Sequence, residues 1–178
     1  MPCEEKGLQT AGLSISPDIL LRNDARPGDL GSIVRLHGIV YAREHGFDHT
    51  FEAYVAAGVA EFAFSFTPGR DRLWILEKDG GMSGSIAILQ RPPDEAQLRW
   101  FLIDPGLRGR GLGRWLLGEA LRFSREQGCK RVFLWTVKDL AAAAHLYRSH
   151  GFQKTAEKIH PLWGKTVHEE RYELDLGA

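Results

Sequence analysis

Disulfide chemistry has little to work with in this chain. Its 178 residues include two cysteines, Cys3 and Cys129. They give neither a disulfide framework nor a metal-ligand spacing, and a reducing cytoplasm is the expected setting. Long apolar runs are missing as well. None approaches the roughly 20 residues of a membrane helix. The N-terminus has no charged start followed by an apolar core, so neither a membrane span nor a secretory signal is expected. Net charge is also absent, because 23 Lys and Arg balance 23 Asp and Glu. Such a surface offers no electrostatic footprint for nucleic acid or an anionic membrane. Internal repeats and low-complexity segments do not occur.

A hydrophobic share of 43% and a charged share of 26% are those of an ordinary globular domain, and the length fits one domain with a sizeable core. Residues 1–18 are polar and read as a loose arm; 19–178 read as a single domain. Ile19 to Arg22 suits a short strand, with Pro27 in the first turn of a helix that Gly46 stops. Asp48 can cap a second helix ending at Pro68-Gly69. Two helices around a short turn raise the possibility of a DNA-reading motif. However, Glu44 to Gly69 contains no Lys or Arg and carries Glu44, Asp48, Glu52 and Glu61, which phosphates would repel. His45 and His49 are no metal pair, since Gly46 interrupts the helix.

Strands follow. Asp79-Gly80-Gly81 between two apolar runs is a hairpin signal, and Arg91-Pro92-Pro93-Asp94 is a second turn. Gln97 to Ile103 then leads into Asp104-Pro105-Gly106-Leu107-Arg108-Gly109-Arg110-Gly111-Leu112-Gly113-Arg114. An amphipathic segment leads out to Gly128. Strand, glycine-rich turn and helix start make a cradle for phosphate, because a helix N-terminus presents unpaired N–H groups and partial positive charge. Without Cβ atoms the backbone can touch its ligand. A P-loop is excluded, since Arg114-Trp115 stands where Lys-Ser/Thr is needed, and the dinucleotide fingerprint fails at its third glycine. Val132 to Val137 reads as a strand covered on both sides, parallel to the loop-leading strand through a right-handed crossover. Asp139 can cap a helix from Leu140 to His150. A strand from Gly151 and an alternating one, Val167 to Leu176, close the chain. The class is mixed α/β.

Arg-x-x-Gly-x-Gly at Arg108 to Gly113, together with Leu146-Tyr147-Arg148-Ser149-His150-Gly151-Phe152 downstream, resembles the GCN5-related N-acetyltransferases, the GNAT family. The likeness runs over about residues 19–176. Arg26-Pro-Gly-Asp29, His37-Gly38, Tyr41-Ala-Arg-Glu44 and Trp163-Gly164 look like the acetyltransferase half of bacterial MarR–GNAT fusion proteins. This chain has no room for the MarR half, so a stand-alone relative is expected. The resemblance implies a central mixed, mostly antiparallel sheet with helices on both faces. It also implies acetyl transfer from acetyl-CoA to a primary amine, with no metal. The pyrophosphate is expected on Gly109, Arg110, Gly111, Leu112, Gly113 and Arg114, and the pantetheine beside Leu102 and Ile103. Arg108, Arg110 and Arg114 are candidates for the CoA phosphates or solvated loop charges. Tyr147 corresponds to the tyrosine that protonates the leaving thiolate; packing is its other reading. Glu44, His37 and Tyr41 share a helical face that would line the acceptor pocket, with Glu44 the candidate base and Trp135 a further wall. One departure stands out. Where many members have a pantetheine-binding Asn, this chain has Leu140. A catalytically silent CoA-binding module, or transfer to an acceptor other than an amine, is the competing reading. The acceptor and the oligomeric state, a homodimer included, stay open.

Overall fold

Between Leu73 and Leu76 four successive side chains are buried, which requires cover on both faces of a sheet. The computed structural model describes residues 13–16, 18–91 and 94–177 and supplies that cover. Its strands are β1 (Leu13–Ser16), β2 (Ile19–Arg22), β3 (Arg72–Lys78), β4 (Gly81–Arg91), β5 (Glu95–Ile103), β6 (Arg131–Val137), β7 (Gln153–Leu162) and β8 (Lys165–Asp175). They form one sheet in the order β1-β2-β3-β4-β5-β6-β8-β7. Every neighbouring pair is antiparallel except β5 and β6.

Helices α1 (Asp29–His45) and α2 (His49–Ser65) cover one face. Ile33, Phe51, Val55, Val59 and Phe62 pack there on Leu73, Ile75, Ala87 and Trp100. Helices α3 (Leu112–Glu126) and α4 (Ala141–Ser149) cover the other. There Leu116, Leu117, Ala120 and Tyr147 meet Trp74, Leu76, Ile86, Leu98 and Leu134. The period-2 alternation of β3 sends odd residues to one core and even residues to the other.

Local chemistry sets the boundaries. Gly46, at φ 68°, ends α1 by donating its N–H to the Ala42 carbonyl. Asp48 caps α2 through the Thr50 N–H, 2.9 Å away. The start of α1 is fixed by a buried ion cluster. The Arg22 guanidinium donates to Asp29 at 2.8 Å and to Glu77 at 2.7 Å, tying β2, β3 and the helix together. Burial pushes the Asp29 carboxyl upward, but hydrogen bonds from Arg22 and the Arg26 N–H outweigh it, and the net direction is down. This cluster explains why α1 begins at Asp29, two residues beyond Pro27.

Three expectations change. Leu13–Ser16, within the segment read as an arm, is an edge strand paired with β2; four residues are too few to carry a periodic signal. Residues 1–12 lie outside the described residues, as do Pro92 and Pro93 of the expected turn. Asp139 caps nothing, because α4 starts at Ala141 after Leu140 and no side chain caps it. The parallel pair is real but short. It runs only over Glu95↔Arg131, Ala96↔Val132 and Gln97↔Phe133.

Candidate active site

The site begins where β5 and β6 part. Opposite Ser85 and Ala87 of β4 stand Leu102 and Arg99 of β5, so β5 carries one extra residue, a β-bulge. Trp100 sits in it with φ 45°, a left-handed conformation rare for a bulky residue. The Ser85 hydroxyl pins it by donating to the Trp100 carbonyl at 2.7 Å. A bulge bends and over-twists its strand. Beyond Gln97 the edge of β5 that faces β6 has no partner strand among the described residues. Leu102 and Ile103 line the resulting cavity of about 720 Å³, a volume typical of ligand sites.

At the C-terminal end of β5, Asp104 accepts from the Gly106 N–H at 2.8 Å and turns the chain. Gly109 and Gly111 follow at φ 78° and 79°, with open space where a Cβ would stand. None of the six N–H groups from Gly109 to Arg114 has a hydrogen-bond partner among the described residues. At Gly113 an added Cβ would lie 3.4 Å from the Leu146 side chain, an ordinary contact, so the start of α3 stands beside α4. Arg110 and Arg114 are exposed and make no salt bridge among the described residues. Arg108 behaves differently. Its Nη1 donates to both Glu44 oxygens at 2.9 and 3.0 Å, and its Nε to the Ile103 carbonyl at 3.2 Å. That arginine clamps the loop to α1, and Glu44, the candidate base, is the group it holds.

Tyr147 reaches the cavity from α4, its ring packed by Phe101, Phe152 and Tyr172. Its hydroxyl makes no hydrogen bond among the described residues. Burial, reinforced by nearby Tyr41, holds its pKa far above the usual phenol value, so the group is a proton donor at neutral pH. Tyr41 lines the same cavity, and burial pushes it up to about 12. His37 is buried and donates Nδ1–H to the Ile33 carbonyl at 2.9 Å, leaving Nε2 as an acceptor. Burial lowers its pKa to about 4, so it is neutral at pH 7. Leu140, in the place of the expected asparagine, is an apolar part of the wall.

The far wall is aromatic. Phe51 and Trp163 are 4.9 Å apart and Tyr54 and Trp163 5.3 Å apart, centroid to centroid. Trp163 and Gly164, both at positive φ, form the tip of the β7–β8 hairpin. The tip docks on α2, with the Asp48 N–H donating to the Trp163 carbonyl at 3.1 Å. Trp135 is half-buried on β6, with the Lys158 ammonium 4.5 Å from its ring centre. Sequence reasoning missed three residues here. Glu169 on β8 lines the cavity and receives His160 Nε2 at 2.7 Å; extending the alternation of β8 back from Arg171 would have found it. Lys158 left no signal in an exposed edge strand. Arg99 was visible as the one charge inside the apolar run Leu98 to Ile103.

Known proteins share this framework. A family model described as the acetyltransferase (GNAT) family matches residues 39–152. Human N-acetyltransferase 8B is 31% identical over 101 residues, covering 53% of this chain and 44% of that protein. Mycothiol acetyltransferase of Beutenbergia cavernae is 35% identical over 94 residues, covering 52% of this chain and 31% of that protein. The chain therefore spans less than half the length of these relatives. Among solved structures, an acetyltransferase from Streptococcus agalactiae superposes with TM-score 0.74 at 20% identity, over 90% of this chain and 99% of the other. The yncA protein of Salmonella typhimurium, solved with its cofactor acetyl-CoA, gives TM-score 0.70 at 17% identity, over 90% and 95%. At these identities the structures speak for the fold.

Proposed function

Because the chain belongs to the acetyltransferase (GNAT) family, we propose that the cavity between β5 and β6 transfers an acetyl group from acetyl-CoA directly to a primary amine. The observation that carries this is one cavity with two unsatisfied features. Among the described residues, the six N–H groups from Gly109 to Arg114 are unpaired at its mouth, and the Tyr147 hydroxyl, without a hydrogen bond, lines the same cavity as the β5 edge that β6 leaves unpaired. The open, left-handed glycines fit a phosphate-bearing ligand, since side chains there would fill the cradle.

Acetyl-CoA supplies the activated acetyl group, and the residues of this chain do the rest. Backbone N–H groups from Gly109 to Arg114, with Arg110 and Arg114, bind the phosphates. The free edge of β5 from Trp100 to Ile103 orients the acyl arm, and a backbone N–H there polarises the thioester carbonyl. An alkyl amine is mostly protonated at neutral pH. Of the two glutamates that line the cavity, Glu44 is engaged by the Arg108 guanidinium. Glu169, held by His160, rather than the expected Glu44, therefore takes a proton from the amine. Tyr147 gives its proton to the departing sulfur. The C–N bond forms as the C–S bond breaks; the ammonium nitrogen loses two protons, one to Glu169 before attack and one that makes good the proton Tyr147 gives to sulfur, so one proton passes to solvent in each turnover.

The kinship with the acetyltransferase half of MarR–GNAT proteins, the cytoplasmic location and the absence of nucleic-acid binding belong to the same proposal. Its test is release of CoA thiol from acetyl-CoA across a panel of small amines, amino acids, antibiotics and peptides. Acceptor-dependent release is expected. Tight acetyl-CoA binding with no turnover on any acceptor would favour a silent CoA-binding module instead. For nucleic acid, a low-salt gel shift with duplex DNA should show no sequence-selective band.

A further inference from the structure

We infer that the acceptor is a small primary amine bearing a carboxylate, and that Arg99 recognises that carboxylate with help from Lys158. The inference rests on the transfer reading above and names the substrate class for the same cavity.

Arg99 is half-buried and lines the cavity, yet it has no carboxylate partner among the described residues. The contrast with Arg22 is direct, since that buried arginine meets both Asp29 and Glu77. The Arg99 guanidinium instead stands 4.8 Å from the ring centre of Trp100 and 5.7 Å from that of Tyr54, and it donates to the Tyr54 hydroxyl at 3.3 Å. Stacking on rings orients a guanidinium while leaving donors free for a planar, two-oxygen anion. Lys158, from the other side of the opening, also rests over a ring, that of Trp135, without a salt bridge among the described residues. Two cations without a carboxylate partner among the described residues therefore line one cavity.

Position argues against the phosphates of CoA as the anion. Arg99 precedes the bulge, four residues before Ile103, while the phosphate cradle begins beyond Asp104. Arg99 lies on the α2 side of the sheet, toward the aromatic wall. Glu169 stands opposite Lys158 in the β7–β8 register, which puts a proton acceptor for the amine beside a cation for the carboxylate. The backbone of α2 makes room for this seat. Gly58 is in mid-helix, where glycine is unfavourable, and an added Cβ would lie 2.9 Å from Arg99 Nη2.

The test compares amino acids, each beside its decarboxylated amine and its carboxamide, by thiol release from acetyl-CoA. The acids should be preferred in kcat/KM by about 10–100-fold, the worth of a charge-assisted hydrogen bond. Arg99→Gln should bring that ratio close to 1 through KM, with acetyl-CoA affinity unchanged. Gly58→Ala should raise Tm while lowering the ratio, which separates displacement of the guanidinium from damage to the fold. Amines or carboxamides used as well as the acids, or a ratio unmoved by Arg99→Gln, would overturn the inference and leave acetyl transfer standing. Failure to bind acetyl-CoA, or to release thiol with any acceptor, would overturn both.

Discussion

Two strand pairs in one sheet part company in an instructive way. β3 and β4 are joined by Asp79-Gly80, at φ 52° and 75°, a turn whose twist matches that of the strands. Their pairing runs from Lys78↔Gly81 to Arg72↔Ile88, and both faces are buried around Leu73 to Leu76. β5 and β6 are joined by the glycine loop and α3, and their pairing ends at Gln97↔Phe133. The first pair is hydrogen-bonded along almost the whole of β3, with one register shift between Leu76 and Glu77, and stabilises the fold. Among the described residues, the second leaves a strand edge, six loop N–H groups and a phenol unsatisfied, and such groups are what a ligand can satisfy. Both β3–β4 and β4–β5 carry a register shift, but only the one at Trp100 sits where β5 runs on past its last pairing with β6.

Substitutions on the two sides should separate cleanly. The largest effect belongs to the open side. Tyr147→Phe keeps the ring and its packing but removes the proton donor, so kcat should fall about 10²–10⁴-fold. Acetyl-CoA affinity should change little, which calorimetry can check. On the closed side, Asp29→Ala leaves Arg22 short of its main partner in a buried setting. It should cost about 3–5 kcal/mol in chemical denaturation and, if the fold persists, little in acetyl-CoA affinity. His37 links stability to pH. Its folded pKa, about 4, lies below the ordinary 6.5, so the unfolded chain binds the extra proton first. Its contribution is intact above about pH 6.5 and fades as pH falls toward 4. The loss should reach about 3 kcal/mol at roughly 1.4 kcal/mol per unit, and His37→Phe should flatten that slope. The smallest change is Ser85→Ala, which removes one buried hydrogen bond to the bulge, costing about 1 kcal/mol. Because that bond holds the bulge, KM for acetyl-CoA should rise in the same variant.

The sequence showed the closed parts well. Asp79-Gly80, Gly46 and Asp48 are local signals with local causes, and each sits where its chemistry demands. The geometry of the glycine loop was equally legible, since Gly109 and Gly111 are left-handed and stand just before the amphipathic α3. Arg108 was only half legible. Its place in the motif suggested phosphate, whereas its side chain turns back to Glu44, sixty-four positions earlier in the chain. The bulge left no mark, since a tryptophan inside an apolar run reads as an ordinary strand residue. The Glu169–His160 pair is a long-range meeting of two strands, and Arg99 acquired meaning only once its lack of a carboxylate partner among the described residues could be seen. Periodicity reports which face a residue takes; it does not report which charges find counter-charges.

Hydrogen–deuterium exchange with and without acetyl-CoA tests the contrast most directly, because it reads unsatisfied backbone groups segment by segment. The segments Trp100–Ile103 and Gly109–Arg114 should exchange readily in the free protein and slow on addition of acetyl-CoA, while Arg72–Lys78 stays slow throughout. Exchange at those two segments that acetyl-CoA leaves unchanged, or protection appearing only elsewhere, would contradict the assignment of the β5–β6 opening as the acetyl-donor site.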